Sequence, residues 1–128
     1  AVLIDFGLAA AFTTTRAGVC GTPGYIPPET WRDGIWFPRG DVFSMGIVFF
    51  QCLTGLVPSK NGTVQGWCVP DALDSTGQPD IGKATQALRL PWGRFPEGMP
   101  LLQSLVAGML ERQRQNRLRS QQALEHTW

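Results

Sequence analysis

The chain has 128 residues, 43% of them hydrophobic and 16% charged, with 15 glycines, 10 prolines and a net charge of +1. That length gives one domain or part of one, able to bury roughly two-thirds of its unfolded surface, in a composition typical of a globular protein with many turns. So small a charge makes no bulk electrostatic case for nucleic acid or an anionic membrane as partner, and three widely spaced cysteines, Cys20, Cys52 and Cys68, give neither a disulfide framework nor a metal knuckle. A reducing, cytoplasmic compartment is the expectation.

The chain opens at Ala1 rather than Met, directly in an apolar run without the layout of a signal peptide, and reads as a piece of a longer chain. Ala1–Ile4 suits a short buried strand. Asp5-Phe6-Gly7 follows. A carboxylate just after a strand, with a glycine to permit a sharp turn, can hold a cation at the edge of a site, although so short a tripeptide is by itself read first as a turn. Leu8–Phe12 is apolar, and Gly21-Thr22-Pro23-Gly24-Tyr25-Ile26-Pro27-Pro28-Glu29 is a second distinctive stretch. Asp41–Leu56 is predicted as a helix with Asp41 as N-cap and Gly55 just past its end. Its apolar residues leave no polar face, and it is shorter than the ~20 residues a bilayer needs, so it is predicted to be buried all round at the centre of the fold.

Residues 57–79 are rich in turn formers and lack helical periodicity. Ile81–Leu88 is a short helical candidate ended by Pro91. Pro100 opens a clearer helix with Leu101, Leu102, Leu105, Val106, Met109 and Leu110 on one face. Arg112, Arg114, Arg117 and Arg119 fall in a predicted loop, and Ser120 is placed to cap a last helix ending near His126, a histidine read as structural.

Four ordered signals carry a resemblance. D-F-G at 5–7, G-T-P-G-Y-I-P-P-E at 21–29, D-V-F-S-M-G from Asp41, and Met109-Leu110 followed by Arg117 and His126-Thr127-Trp128 together resemble the protein kinase family, of the serine/threonine type. The resemblance covers essentially the whole chain, from the D-F-G segment to the last helix. It implies a protein kinase-like (α+β) C-lobe fragment over 1–128, mainly α-helical with a short N-terminal strand and long loops. Residues 8–29 are then the activation and docking loop, and 57–79, longer than in relatives, a loop insertion holding Trp67 and the tripeptide Asn61-Gly62-Thr63.

The same resemblance implies ATP and Mg²⁺ as cofactors, with a protein substrate and the rest of the kinase domain as partners. Asp5 takes the metal role, because a hard cation wants carboxylate oxygen. Phe6 packs beneath the helix that positions a lysine–glutamate pair, and Gly7 supplies the turn. Thr22 bonds the catalytic base. Val19, Gly21, Pro23 and Ile26 line the substrate position, Glu29 and Arg117 form a buried ion pair, and Asp41 braces the catalytic loop. Val48 and Cys52 lie on the helix face beneath the adenine.

Several positions depart from the family pattern. Gly18 stands where many relatives carry the activating phosphate, which leaves Thr13, Thr14 and Thr15 as candidate phosphosites. Pro27 replaces alanine, Gln113-Arg114 replace D-P, and Gln51 is neutral at a position acidic in some relatives that prefer basic substrates. The glycine-rich loop, the ATP lysine, its glutamate partner and the H-R-D loop do not occur in these residues. The expectation is an inactive fragment of an ATP- and Mg²⁺-dependent serine/threonine kinase; the alternative is a non-catalytic kinase-like scaffold that binds partners.

Overall fold

The computed structural model describes residues 2–11, 16–56, 75–76, 80–86 and 89–128. In chain order these form a 3-10 turn (Phe6–Leu8), strand β1 (Arg16–Ala17), helix α1 (Pro28–Asp33), strand β2 (Ile35–Trp36), helix α2 (Arg39–Thr54), helix α3 (Ile81–Gln86), a second 3-10 turn (Trp92–Arg94), helix α4 (Pro100–Met109) and helix α5 (Ser120–Leu124). The two strands pair antiparallel, Arg16 opposite Trp36 and Ala17 opposite Ile35. Mainly helical with one small sheet, the described chain has the architecture that the resemblance implies.

The core is the α2–α4 contact and what closes over it. Phe43, Ile47 and Phe50 of α2 are fully buried, and Leu102, Leu105, Val106 and Met109 of α4 face them. Phe95, Leu56 and Leu110 complete the cluster, with Trp92 and Leu118 packed against its edge. Pro100 is in the first turn of α4, where its missing N–H costs nothing.

Several local expectations are corrected. Val2, Leu3 and Ile4 form no strand and are 86, 83 and 81% exposed; among the described residues no strand pairs with them, and an isolated extended segment has no ladder to join. Asp41 is not the N-cap of α2. The helix starts two residues earlier with Pro38 as its cap, and Asp41 lies in the first turn, where a carboxylate still favours the helix dipole. Nor is α2 buried all round: Asp41, Met45, Val48 and Cys52, spaced by four, three and four, form an exposed stripe. On α4, Leu101 points outward, 51% exposed. Arg119, not Ser120, caps α5, and its backbone N–H donates to Gln122 Oε1 (2.8 Å). Helix α3 ends at Gln86, with residues 87–88 and most of the 57–79 segment, Trp67 and Asn61 included, outside the described residues.

Gly46 sets how closely α2 and α4 approach. A Cβ there would lie 2.9 Å from Cγ and Cδ2 of Leu110 and 3.0 Å from Cβ of Met109. Met109 Cβ moves only with its backbone, so the contact cannot relax by a rotamer change. Overpacking costs about 1–3 kcal/mol, against ~1 kcal/mol gained when alanine replaces glycine in a helix. Gly46→Ala is therefore expected to be net destabilising, as a lowered urea midpoint; an unchanged or raised midpoint would show that the helices move apart at no cost.

Candidate functional site

Asp5 lines a cavity of about 550 Å³ together with Leu3, Ile4, Phe6, Leu8–Ala11, Cys20, Trp36–Pro38 and Asp41. Three parts of the chain therefore meet there: residues 3–11 with the D-F-G segment, Cys20, and the entry to α2. Asp5 has left-handed backbone angles (φ 61°, ψ 70°), the only described non-glycine residue with positive φ. Aspartate tolerates that region better than most side chains because its carboxylate can bond locally, and here Oδ1 accepts the Gly7 N–H at 3.4 Å. The sharp turn thus falls on Asp5 itself, and Gly7 sits inside the following 3-10 turn. Phe6 is 67% exposed beside the cavity.

Asp5 is exposed and can be reached by a cation. No group of three or more His, Cys, Asp or Glu side chains that could enclose a metal occurs among the described residues. An accessible carboxylate beside an open cavity fits Mg²⁺, which keeps several waters and is bound through one or two carboxylates plus substrate phosphates. It does not fit an ion that needs a full protein cage. Asp41 reaches the same cavity, with Oδ1 accepting the Trp36 indole N–H at 3.0 Å.

The residues expected to line the substrate position form an exposed edge above a buried base. Val19, Gly21, Thr22 and Pro23 are exposed, whereas Ile26 is 2% exposed and lies under Gly21, whose absent side chain would meet Ile26 Cγ1 at 3.5 Å. Gly21 and Gly24 have φ of 110° and 94°, so only glycine fits either position without strain. The Thr22 carbonyl accepts the Tyr25 N–H (3.1 Å) and closes the turn. Two polar residues that interrupt the apolar helix α2 then hold this edge. Ser44 Oγ donates to the Tyr25 carbonyl (2.8 Å), and the Tyr25 hydroxyl lies 3.1 Å from Oε1 and 2.9 Å from Nε2 of Gln51. Gln51 is neutral and already engaged with Tyr25.

Pro27, in place of alanine, is buried at the N-cap of α1. Gly40 makes room for it: a Cβ on Gly40 would lie 3.1 Å from Pro27 Cγ and from the Trp36 ring.

Glu29 and Arg117 are brought together. Arg117 Nη1 and Nη2 donate to Glu29 Oε1 and Oε2 at 2.7 and 2.8 Å, with the two residues 1% and 2% exposed. The remaining guanidinium donors reach the carbonyls of Glu111 (2.8 Å), Arg39 (3.0 Å) and Arg112 (3.4 Å). Every donor of the fork has an acceptor, as a buried charge requires. The Glu111–Arg119 loop is not simply solvated around it. Arg39, which sequence reasoning overlooked, donates from Nη1 to the carbonyls of Arg114, Gln115 and Arg117. Burial, helped by Arg119, Arg114 and Arg117 nearby, holds the Arg39 guanidinium below its ordinary value. Arg114 lies over the Phe37 ring, 3.8 Å from its centroid. In place of D-P, Glu111 Oε1 accepts the Gln113 N–H (3.1 Å), and the Gln113 carbonyl accepts from the Asn116 and Arg117 amides.

Val48 and Cys52 are exposed on α2. Thr13, Thr14 and Thr15 lie outside the described residues.

Comparison with known proteins follows the same lines. The family description "Protein kinase domain" matches residues 2–128. Calcium-dependent protein kinase 20 of Oryza sativa subsp. japonica is 32% identical over 127 residues, 98% of this chain and 21% of that protein. Calcium-dependent protein kinase 7 of Arabidopsis thaliana is 33% identical over the same shares of the two chains. Serine/threonine-protein kinase PknL of Mycobacterium tuberculosis (strain ATCC 25618 / H37Rv) is 45% identical over 60 residues, 44% of this chain and 15% of that protein. The chain spans about a fifth of the length of the calcium-dependent kinases it matches. With the family description matching residues 2–128, nearly the whole chain, the chain belongs to the protein kinase domain family.

Proposed function

We propose that residues 1–128 are the C-terminal portion of the catalytic domain of a serine/threonine protein kinase, with 8–29 as activation and docking loop and 57–79 as a loop insertion. The observation that carries this reading is the meeting of Asp5, Cys20 and Asp41 around a single cavity, which supports a metal-holding role for Asp5 close to the 8–29 loop. Bound there with ATP, Mg²⁺ would neutralise charge on the transferred phosphoryl group. The chain's own residues do the holding. Asp5 presents a carboxylate in a fixed left-handed turn. Thr22 offers a hydroxyl to the catalytic base, and Val19, Gly21 and Pro23 form an apolar edge for the residue after the phosphoacceptor, with Ile26 as its floor.

Positioning is most of phosphoryl-transfer catalysis, and these residues carry neither an ATP lysine nor an H-R-D loop. The complete protein with Mg·ATP and a protein substrate is expected to put phosphate on serine or threonine, and to stop when the metal is chelated. Residues 1–128 alone are expected to give no transfer. Activity of the short chain after removal of contaminating kinases would overturn these roles.

A second reading, a non-catalytic kinase-like scaffold that binds partners, is favoured by the departures from the family pattern at Gly18 and Pro27. A complete protein that folds but transfers no phosphate would select it.

A further inference from the structure

We propose that Thr30 is a positioning residue of the docking loop, holding residues 16–18 in place through Ile35 and the β1–β2 pair without a phosphate at position 18. The proposal rests on the kinase reading above.

Thr30 is wholly buried, next in the chain to Glu29, whose carboxylate Arg117 holds. Both polar ends of Thr30 serve the chain that follows. Its carbonyl accepts the Gly34 N–H (2.9 Å), which closes α1, and its hydroxyl donates to the Ile35 carbonyl (2.9 Å), which fixes the start of β2. Ile35 is the partner of Ala17 in the two-residue ladder, and the next residue, Gly18, donates its N–H to the Gly34 carbonyl at 2.6 Å. The docking loop is thus tied at its entry to a buried base that is itself tied to Arg117.

Gly18 and Gly34 have φ of 99° and 67°, and nothing lies within 4 Å of where either Cβ would be. Glycine is needed there for its backbone angles, not for space. Position 18 can carry no phosphate, and in its place the backbone supplies a bond to a fixed partner. Ordering a loop by phosphate works by creating new bonds to fixed groups; here equivalent bonds are made without modification.

Thr30→Val keeps the shape of the side chain and removes the hydroxyl; Thr30→Ser keeps the hydroxyl. In the complete protein, Thr30→Val is expected to speed amide exchange at Gly18 about fivefold, the factor corresponding to one typical intramolecular hydrogen bond. It is expected to raise KM for a peptide substrate about as much while kcat changes less than about twofold, because the loop sets substrate placement and not the phosphate site. Thr30→Ser should restore both, and phosphatase treatment of the wild type should change neither. Unchanged Gly18 exchange in Thr30→Val, a joint fall of kcat and kcat/KM, or a phosphatase effect on KM as large as the mutation's would each overturn the proposal. If the complete protein transfers no phosphate, the kinase reading fails, and the exchange measurement still decides whether Thr30 holds the loop.

Discussion

Arg117→Ala is expected to cost the chain about 3–5 kcal/mol, the usual penalty for stranding one member of a buried ion pair. Glu29 would remain 2% exposed with no cation, and the carbonyls of Glu111, Arg39 and Arg112 would lose a donor at the same time. Native domains are stable by only about 5–15 kcal/mol, so the variant should be largely unfolded at modest urea. The neighbouring arginines calibrate the result. Arg112 makes one long exposed bond, 3.4 Å to the Gln86 carbonyl, and its replacement by alanine should stay within about 0.5 kcal/mol. Arg114→Ala loses the stacking on Phe37 and should cost about 0.5–1 kcal/mol. Replacing both partners, Glu29→Leu with Arg117→Met, should recover part of the loss but not all of it, because apolar side chains remove the stranded charge and leave the three carbonyls unserved. Equal shifts in urea midpoint for the three arginine-to-alanine variants would refute the arrangement.

That pair shows what was legible in the sequence and what was not. Glu29 and Arg117 are 88 residues apart, and only the family resemblance connects them; no local pattern does. The carbonyl acceptors around Arg117 could not be foreseen, since they depend on how the 111–117 turn closes without the usual D-P. Long elements were readable, because α2 and α4 are specified by their own apolar residues. Their ends were less so. Asp41 is a strong capping type, yet Pro38 with its fixed φ lets the helix start two residues earlier. Helix α1 was missed where two successive prolines look like a break, although the second occupies a position that tolerates proline. The β1–β2 pair has two residues in each strand, too few to show a period of two. In the site, Ser44 and Gln51 did leave a trace, as polar interruptions in an apolar helix. Arg39 and Thr30 left none, because their partners are backbone carbonyls that any residue could supply.

Phe50→Ala is expected to be the other severe change, again about 3–5 kcal/mol. Phe43, Ile47 and Phe50 follow one another at helical spacing on α2, and all three are 0% exposed. Phe50 is the one that joins the helix to the chain ahead of α4. Its ring stands edge-on to Trp92 (centroids 5.4 Å apart, planes at 84°) and 6.3 Å from Phe95, while Trp92 and Phe95 are themselves 5.7 Å apart. Truncation at Cβ removes one ring of three and leaves a void between elements that the 3-10 turn at Trp92–Arg94 holds apart, so the site cannot easily collapse. Phe50→Leu keeps most of the buried volume and loses mainly the aromatic pairing, worth about 0.5–1.5 kcal/mol, and should fall between wild type and alanine. Val48→Ala, two residues earlier on the same helix, provides the contrast. Val48 is 40% exposed, so in the 128-residue chain its truncation should stay within about 0.5 kcal/mol. The urea midpoints of the three variants decide between a one-sided and an all-round core. If Val48→Ala costs as much as Phe50→Ala, α2 is packed on both sides, and the exposed stripe of Asp41, Met45, Val48 and Cys52 does not exist in solution.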